Sequence, residues 1–362
     1  MCMIKASISV PYSTVTICPQ KHCRVPGSVM VTTCRENTMK AIVRDKYGSP
    51  DVLELKDIDK PVVNDDEVLV RVHAASLNQA DLDYLYGRPL LTRMGTGSRR
   101  PKNRGLGLDV SGRVEAIGKD VTAFQPGDEV FGDLTQHGFG AFAEYASGPE
   151  HAWAHKPASM TFEEAATVPQ AGILALQGLR GGERIGPGQM VLINGASGNV
   201  GPFAVQIAKS YGAQVTGVCS TSKMDMVRGL GADHVIDYTR EDYTRGGQRY
   251  DWIVDVAGNR SILECRRALK PNGVYVMVGG PTSRIFGALL LGPLASLAGS
   301  RKMGLMMWWK PFKKEDVVLL KELIEAGKVA PVIDRRYPLA EVPEALRYLE
   351  EGHARGKVVI TV

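Results

Sequence analysis

Met190-Val191-Leu192-Ile193 runs directly into Asn194-Gly195-Ala196-Ser197-Gly198-Asn199-Val200-Gly201. The first four residues are apolar and end at a turn signal, which predicts a short buried strand. Beyond the glycines, Val200, Phe203, Ala204, Ile207, Ala208 and Tyr211 recur at helical spacing on one face, which predicts an amphipathic helix. A strand, a loop of small residues and a helix N-terminus together make a cradle for a pyrophosphate. The backbone can approach closely, and the first helical N–H groups offer free hydrogens and partial positive charge. Ala196 stands where the usual first glycine would be, so the bare pattern is weak and its context carries the reading.

That context extends in both directions. Strands Gln214–Val218, Val235–Asp237, Trp252–Val256 and Val274–Val278 follow, separated by helical segments ending near Gly229 and Leu269. Alternating strands and helices with near-continuous apolar strands predict a doubly wound parallel sheet. Upstream, short strands such as Lys40–Val43, Val68–Val72, Val110–Ile117 and Glu129–Phe131 are separated by turns such as Gln125-Pro126-Gly127-Asp128. Downstream, helix Glu315–Ala326, strand Val332–Ile333, helix Val342–Glu351 and strand Lys357–Val362 return to the first unit. The predicted class is α/β: a β-rich domain of residues 39–165 and 312–362, split around a Rossmann domain of residues 166–311. Residues 1–38 are expected to be a disordered extension, or an over-long start ahead of Met39. They are Ser/Thr-rich with Glu36 as the single acid, faintly like a transit peptide, and lack the apolar core of a secretory signal.

The cofactor choice is read at the end of the second strand, Cys219-Ser220-Thr221-Ser222-Lys223. An NAD site places an acid there for the ribose hydroxyls. Here hydroxyls and a lysine offer donors and positive charge to a 2′-phosphate. Asp225 lies just beyond and reads as a helix N-terminal charge. NADP(H) is the expected cofactor.

Six stretches together resemble the zinc-less quinone oxidoreductase (zeta-crystallin-like) group of the medium-chain dehydrogenase/reductases. They are Ser76-Leu77-Asn78-Gln79-Ala80-Asp81, Gly107-Leu108-Asp109-Val110-Ser111-Gly112, Pro126-Gly127-Asp128-Glu129-Val130-Phe131-Gly132, the glycine loop, Gly231-Ala232-Asp233-His234-Val235-Ile236-Asp237-Tyr238, and Gly356-Lys357-Val358-Val359-Ile360. The resemblance implies a GroES-like catalytic domain, with the cofactor in the cleft beside the Rossmann domain. It implies cofactor contacts from Gly195, Ala196, Ser197, Gly198, Asn199, Val200, Gly201, Ser220, Lys223, Tyr238, Gly279 and Lys357, with Lys223 and Tyr238 near the 2′-phosphate. For Tyr238 the plainer alternative is a half-buried tyrosine at a strand end. Zinc alcohol dehydrogenases of this superfamily carry Cys at the place of Asn78 and His-Glu at the place of Leu108-Asp109. These substitutes are poor zinc ligands, so no metal is expected.

Without a Lewis acid, alcohol oxidation is a poor fit, whereas a quinone or an α,β-unsaturated carbonyl spreads incoming charge over its own oxygen. The resemblance puts Asn78 near nicotinamide or substrate as a hydrogen-bonding group. Asp81 would fix the loop, and Tyr84 and Gln170 are further catalytic candidates, with plain packing an equal reading of Tyr84. The alternatives are an enoyl-thioester reductase using the basic run Arg93, Arg99, Arg100, Lys102 and Arg104, an alcohol dehydrogenase-like activity, and a non-enzymatic NADPH-binding structural or RNA-binding role.

The formal net charge of +5 is too small to argue for nucleic acid. Four of the six cysteines (Cys2, Cys18, Cys23 and Cys34) precede the recognisable fold, which leaves Cys219 and Cys265. That is no disulfide framework, and a reduced, cytoplasmic setting is expected. The apolar segment Ile285–Gly299 is too short and broken to span a bilayer. It is expected to cover an apolar small-molecule carbonyl or quinone substrate while packing partly on a partner subunit, with the run ending in Trp308 and Trp309 at a homodimer interface.

Overall fold

Apolar alternation in the first unit lays down seven strands: β1 (Thr38–Val43), β2 (Glu54–Asp59), β3 (Glu67–Ser76), β4 (Asp109–Ile117), β5 (Glu129–Asp133), β6 (Tyr145–Pro149) and β7 (Trp153–His155). These come from a computed structural model, which describes residues 37–90, 92–180, 185–297, 299–306 and 310–362. The expected N-terminal extension therefore lies almost wholly outside the described residues, as do Met307, Trp308 and Trp309. The second unit supplies β8 (Met190–Asn194), β9 (Gln214–Cys219), β10 (His234–Asp237), β11 (Tyr250–Asp255), β12 (Leu269–Met277) and β13 (Lys302–Leu305). The chain then returns with β14 (Ile333–Pro338) and β15 (Lys357–Thr361).

Strands β8 to β13 form one six-stranded sheet in the order β10-β9-β8-β11-β12-β13. All its neighbours are parallel. This is the order of a Rossmann sheet, and its strand order reverses beside β8, where the glycine loop begins. Helix Gly201–Ser210 buries Phe203, Ala204, Ile207 and Ala208 against that sheet, as the spacing predicts. A seven-stranded sheet runs β14-β15-β3-β4-β5-β7, with β6 also paired to β3, and β1 and β2 pair as a separate antiparallel two-stranded sheet. The C-terminal strand β15 is thus inserted between β14 and β3, parallel to the first and antiparallel to the second. The split domain predicted from the sequence is closed by this insertion.

The apolar segment is part of helix Thr282–Leu297, which links β12 to β13. Parallel neighbours need a crossover, and this helix is it. It lies along β13 through small residues: a Cβ on Gly292 would stand 2.9 Å from the Met303 carbonyl oxygen. The helix therefore packs on the sheet at β13. Its opposite face, with Phe286, Leu290, Leu294 and Leu297, is left exposed. No helix among the described residues is long and apolar enough to cross a membrane.

Candidate active site

Three strands of the split sheet bring their polar ends to one row. Ser76 on β3 faces Asp109 on β4, and Asp109 faces Asp133 on β5. On the other side of Ser76 stands Val359 of β15. Cross-strand neighbours share a face of the sheet, and so do alternate residues of a strand, so Lys357 reaches the same row from β15. Ser76, Asp109, Asp133 and Lys357 are all buried.

Lys357 Nζ donates to the Leu77 carbonyl at 3.0 Å, to Asn78 Oδ1 at 2.6 Å and to Asp109 Oδ2 at 3.3 Å. An ammonium has three hydrogens, and three acceptors meet them. Asn78 Nδ2 in turn donates to Asp109 Oδ2 at 3.0 Å. Lysine only donates and a carboxylate only accepts, so the two neighbours fix which end of the Asn78 amide points where. Asp109 also accepts from the Ser76 hydroxyl at 3.3 Å and the Gln170 backbone N–H at 3.1 Å. Burial pushes Asp109 towards the acid and Lys357 towards the amine, and the charge of each opposes that shift in the other.

The remaining catalytic candidates gather around this pair. Asp81 accepts the Asn78 backbone N–H at 2.7 Å and so anchors the start of helix Gln79–Tyr86. The Gln170 amide donates to Thr135 Oγ1 at 3.4 Å, and Thr135 N–H donates to Asp133 Oδ1 at 2.8 Å. Tyr84, half-buried, packs its ring 4.6 Å from that of Phe139. Burial and the charges of Asp133 and Asp81 keep its hydroxyl protonated. Burial also pushes Asp81 up to about 8, with the Asp109 charge adding to it. Asp133 is pushed up to about 7 by burial and by Asp109.

The glycine loop reaches the same corner. Asn199 Nδ2 lies 3.5 Å from the Leu77 carbonyl oxygen, the oxygen that also accepts from Lys357. Lys357, expected among the cofactor contacts, thus meets the loop at one remove. Gly195 has φ +88°, and a Cβ on Gly201 would sit 2.2 Å from the Gly195 carbonyl oxygen. The loop geometry therefore excludes side chains at both positions. Asn194 Nδ2 secures the loop from below, on Asp255 at 2.7 Å and Asn259 at 2.9 Å. Ala196 is buried beneath the loop, and Ser197, Gly198 and Val200 complete it before the helix. Gly279 follows β12, close to Gly258 and Gly280.

At the second strand, Lys223 N–H donates to the Ser220 carbonyl at 3.0 Å, and Tyr238 N–H donates to the Cys219 carbonyl at 3.1 Å. Ser220, Lys223 and Tyr238 are thereby brought together, with the Tyr238 side chain exposed. The Lys223 ammonium donates to the carbonyls of Gly352 (3.3 Å) and Ala354 (2.8 Å), which belong to the split domain.

The positions that hold zinc in the alcohol dehydrogenases do not fit that ion here. Leu108 offers only hydrocarbon, and the oxygens of Asn78 and Asp109 already face an ammonium. Among the described residues no group of three His, Cys, Asp or Glu side chains is placed to hold a metal.

Residues 64–158 match the alcohol dehydrogenase GroES-like domain, and residues 230–360 match the zinc-binding dehydrogenase domain. The chain belongs to the medium-chain dehydrogenase/reductase family. It is 36% identical to the mitochondrial NAD(P)H oxidoreductase RTN4IP1 of Mus musculus over 364 residues, 92% of each chain. It is 34% identical to the chloroplastic NADPH-dependent alkenal/one oxidoreductase of Arabidopsis thaliana, covering 89% of this chain and 79% of the relative. Among solved structures, the quinone oxidoreductase of Coxiella burnetii superposes with a TM-score of 0.80 at 32% identity, covering 90% of this chain and 99% of the other. The GroES-like and Rossmann halves expected from the sequence are those of this family.

The sequence reading missed Ser76, Asp133 and Thr135 as members of the site, and read Asp109 only as a replaced ligand. A lysine opening the buried strand Lys357-Val358-Val359-Ile360 was the available signal, because a lysine enters such a strand only with a partner.

The two raised carboxyls have a consequence for stability. In an unfolded chain both would lose their protons near pH 4. The native chain keeps them to about 8 and about 7. Between those limits the native state binds more protons, so this contribution to stability falls as pH rises through the window. The melting temperature should decline from about pH 5 to about pH 8, and Asp81→Asn, which mimics the protonated acid, should flatten the decline. Thermal unfolding across that range checks this, and an equally steep decline in the variant would contradict it.

Proposed function

We propose that the chain is an NADP(H)-dependent reductase of quinones or α,β-unsaturated carbonyls that works without a metal. The observation that carries this is the buried Lys357–Asn78–Asp109 group, which fills the zinc-ligand corner beside a dinucleotide loop. The names of the relatives, an NAD(P)H oxidoreductase, an alkenal/one oxidoreductase and a quinone oxidoreductase, support the same reaction class.

NADPH would be held by Gly195 to Gly201 at the pyrophosphate, by Ser220, Lys223 and Tyr238 at the 2′-phosphate, and by Gly279 beyond β12. Bound, it supplies a hydride to an electrophilic carbon conjugated to a carbonyl. The chain's own residues orient the acceptor and stabilise the charge that moves to its oxygen. Asn78 Nδ2 keeps one hydrogen after bonding Asp109 and is the donor we assign to that oxygen. Tyr84 Oη, held protonated, is a second donor. Asp81 fixes the helix that carries both, and Gln170 fixes Asp109 through its backbone. Alcohol oxidation fits less well, because it needs a cation at an alkoxide. The enoyl-thioester reading loses part of its basic surface: Arg93 is spent on the Tyr86 and Gly87 carbonyls, and Arg104 on Asp45.

The compartment is read only as a reducing one, since Cys219 and Cys265 are free and buried. The cytoplasm meets that description, and so does the mitochondrial matrix, which the name of the mouse relative points towards. A homodimer is proposed through the edge strand β13 and the helix beside it. A groove of about 390 Å³ there is lined by Ala288, Leu289, Pro293, Met303 and Leu305, and the exposed leucines continue it.

Three outcomes are expected. Purified protein should oxidise NADPH steadily with small quinones or enones, and a chelator should leave the rate unchanged. NADPH binding without turnover would favour the non-enzymatic role. Lys223→Ala should weaken NADPH about tenfold or more and leave NADH nearly unaffected, since a charged hydrogen bond contributes ~1.5–3 kcal/mol. Equal losses in a titration of both cofactors would remove Lys223 from the 2′-phosphate. Leu290→Asp with Leu294→Asp should convert a dimer to a monomer in sedimentation, and an unchanged mass would place any interface elsewhere.

A further inference from the structure

Lys357 does more in this geometry than neutralise Asp109. Its ammonium is buried, satisfied on all three hydrogens, and 2.6 Å from Asn78 Oδ1. An asparagine amide is nearly symmetric in shape, and its two ends have opposite polarity. With Lys357 present, the oxygen end is pinned and the Nδ2 end is turned to Asp109, with one hydrogen to spare. Without the ammonium, burial favours the protonated form of Asp109, which can donate as well as accept, and neither neighbour then selects the oxygen end. A flipped amide would offer a lone pair where charge develops on the acceptor, and so would repel what it should stabilise.

We propose that Lys357 is a positioning residue that takes the electrostatic place of the zinc of the alcohol dehydrogenases: a buried ammonium that holds the Asn78 amide with its N–H end available to the acceptor oxygen. The inference rests on the reductase reading of the site and deepens it. A second observation links it to cofactor arrival. The Leu77 carbonyl accepts from Lys357 and also faces Asn199 of the glycine loop. The lysine therefore spans the two halves of the site, with Asn78 on one side and the dinucleotide loop on the other. A metal would do this by ligation, whereas the ammonium does it by hydrogen bonds whose directions are set by β15 pairing with β3.

The test separates positioning from mere structural support. Lys357→Met alone leaves Asp109 without a counter-charge and is expected to fold poorly, so the working variant is Lys357→Met with Asp109→Asn, in which both charges leave together. This pair should recover a melting temperature near that of the parent. Its kcat for quinone or enone reduction should stay at least tenfold down, with KM for NADPH changed less than threefold. Asn78→Ala in the parent should lower kcat by a similar factor, and adding it to the charge-free pair should lower kcat no further. A kcat restored with the melting temperature, or losses that multiply, would overturn the proposal. Hydrogen exchange of the Asn78 side-chain amide, followed by NMR on the full chain, reads the same point without turnover. It should be slow in the parent and faster in the folded charge-free variant, and equal rates would overturn the positioning role. Failure of the parent itself to oxidise NADPH with any quinone or enone would instead count against the reductase reading, while the exchange rates would still decide whether Lys357 sets the amide.

Discussion

A primary ammonium leaves water only where each of its hydrogens is met and its charge is opposed. Lys357 satisfies both demands at the end of a β-sheet, and much of the catalytic half is arranged around that fact. The sheet order brings β15 beside β3, β3 beside β4 and β4 beside β5, so four strand ends converge on one buried row. Asp109 accepts four hydrogen bonds there, from Ser76, Asn78, Gln170 and Lys357. Removal of any one would leave a buried charge short of partners, and for this reason the corner behaves as a unit rather than as separate contacts.

The two domains divide the work along physical lines. The parallel sheet offers backbone: a loop whose glycines permit close approach, and a helix end that favours anions. The split sheet offers side chains with fixed polarity. They meet at the Leu77 carbonyl, which both halves address, and at Gln170, whose backbone N–H reaches Asp109. At the far end Lys223 crosses in the same sense as Asn199, from the parallel sheet to the carbonyls of Gly352 and Ala354. The cleft is thus bracketed at both ends by hydrogen bonds between domains.

The parallel sheet was legible because its signals are local. Strand, glycine loop and amphipathic helix lie within about twenty residues, the scale on which periodicity operates. Boundaries slipped where a helix ran straight into a strand: a helix was expected through Leu269, while β12 begins at that residue. The neighbour of the apolar segment before β13 was not legible, because composition shows that a surface is apolar without showing what it meets. Gly292, the residue that seats this helix on the strand, looked like a break in it. At the site, Asn78, Asp81, Tyr84 and Gln170 were named and lie together. The apolar strand that Lys357 opens signals that it has a partner, but which partner was not legible, since all three are remote in sequence.

That remoteness bears on how the chain acquires its shape. Leu77, Asn78 and Asp109 lie 280, 279 and 248 residues from Lys357. Strands β3, β4 and β5 can begin to pair as a meander soon after they exist, and the parallel sheet can collapse on its own short-range contacts. The catalytic sheet cannot be finished by either event. Until β15 docks, one end of the meander holds two carboxyls, Asp109 and Asp133, and no cation, and such an end stays hydrated or takes up protons. Closure of the split domain thus brings a strand and a counter-ion to the site together, and dehydration of the site depends on both.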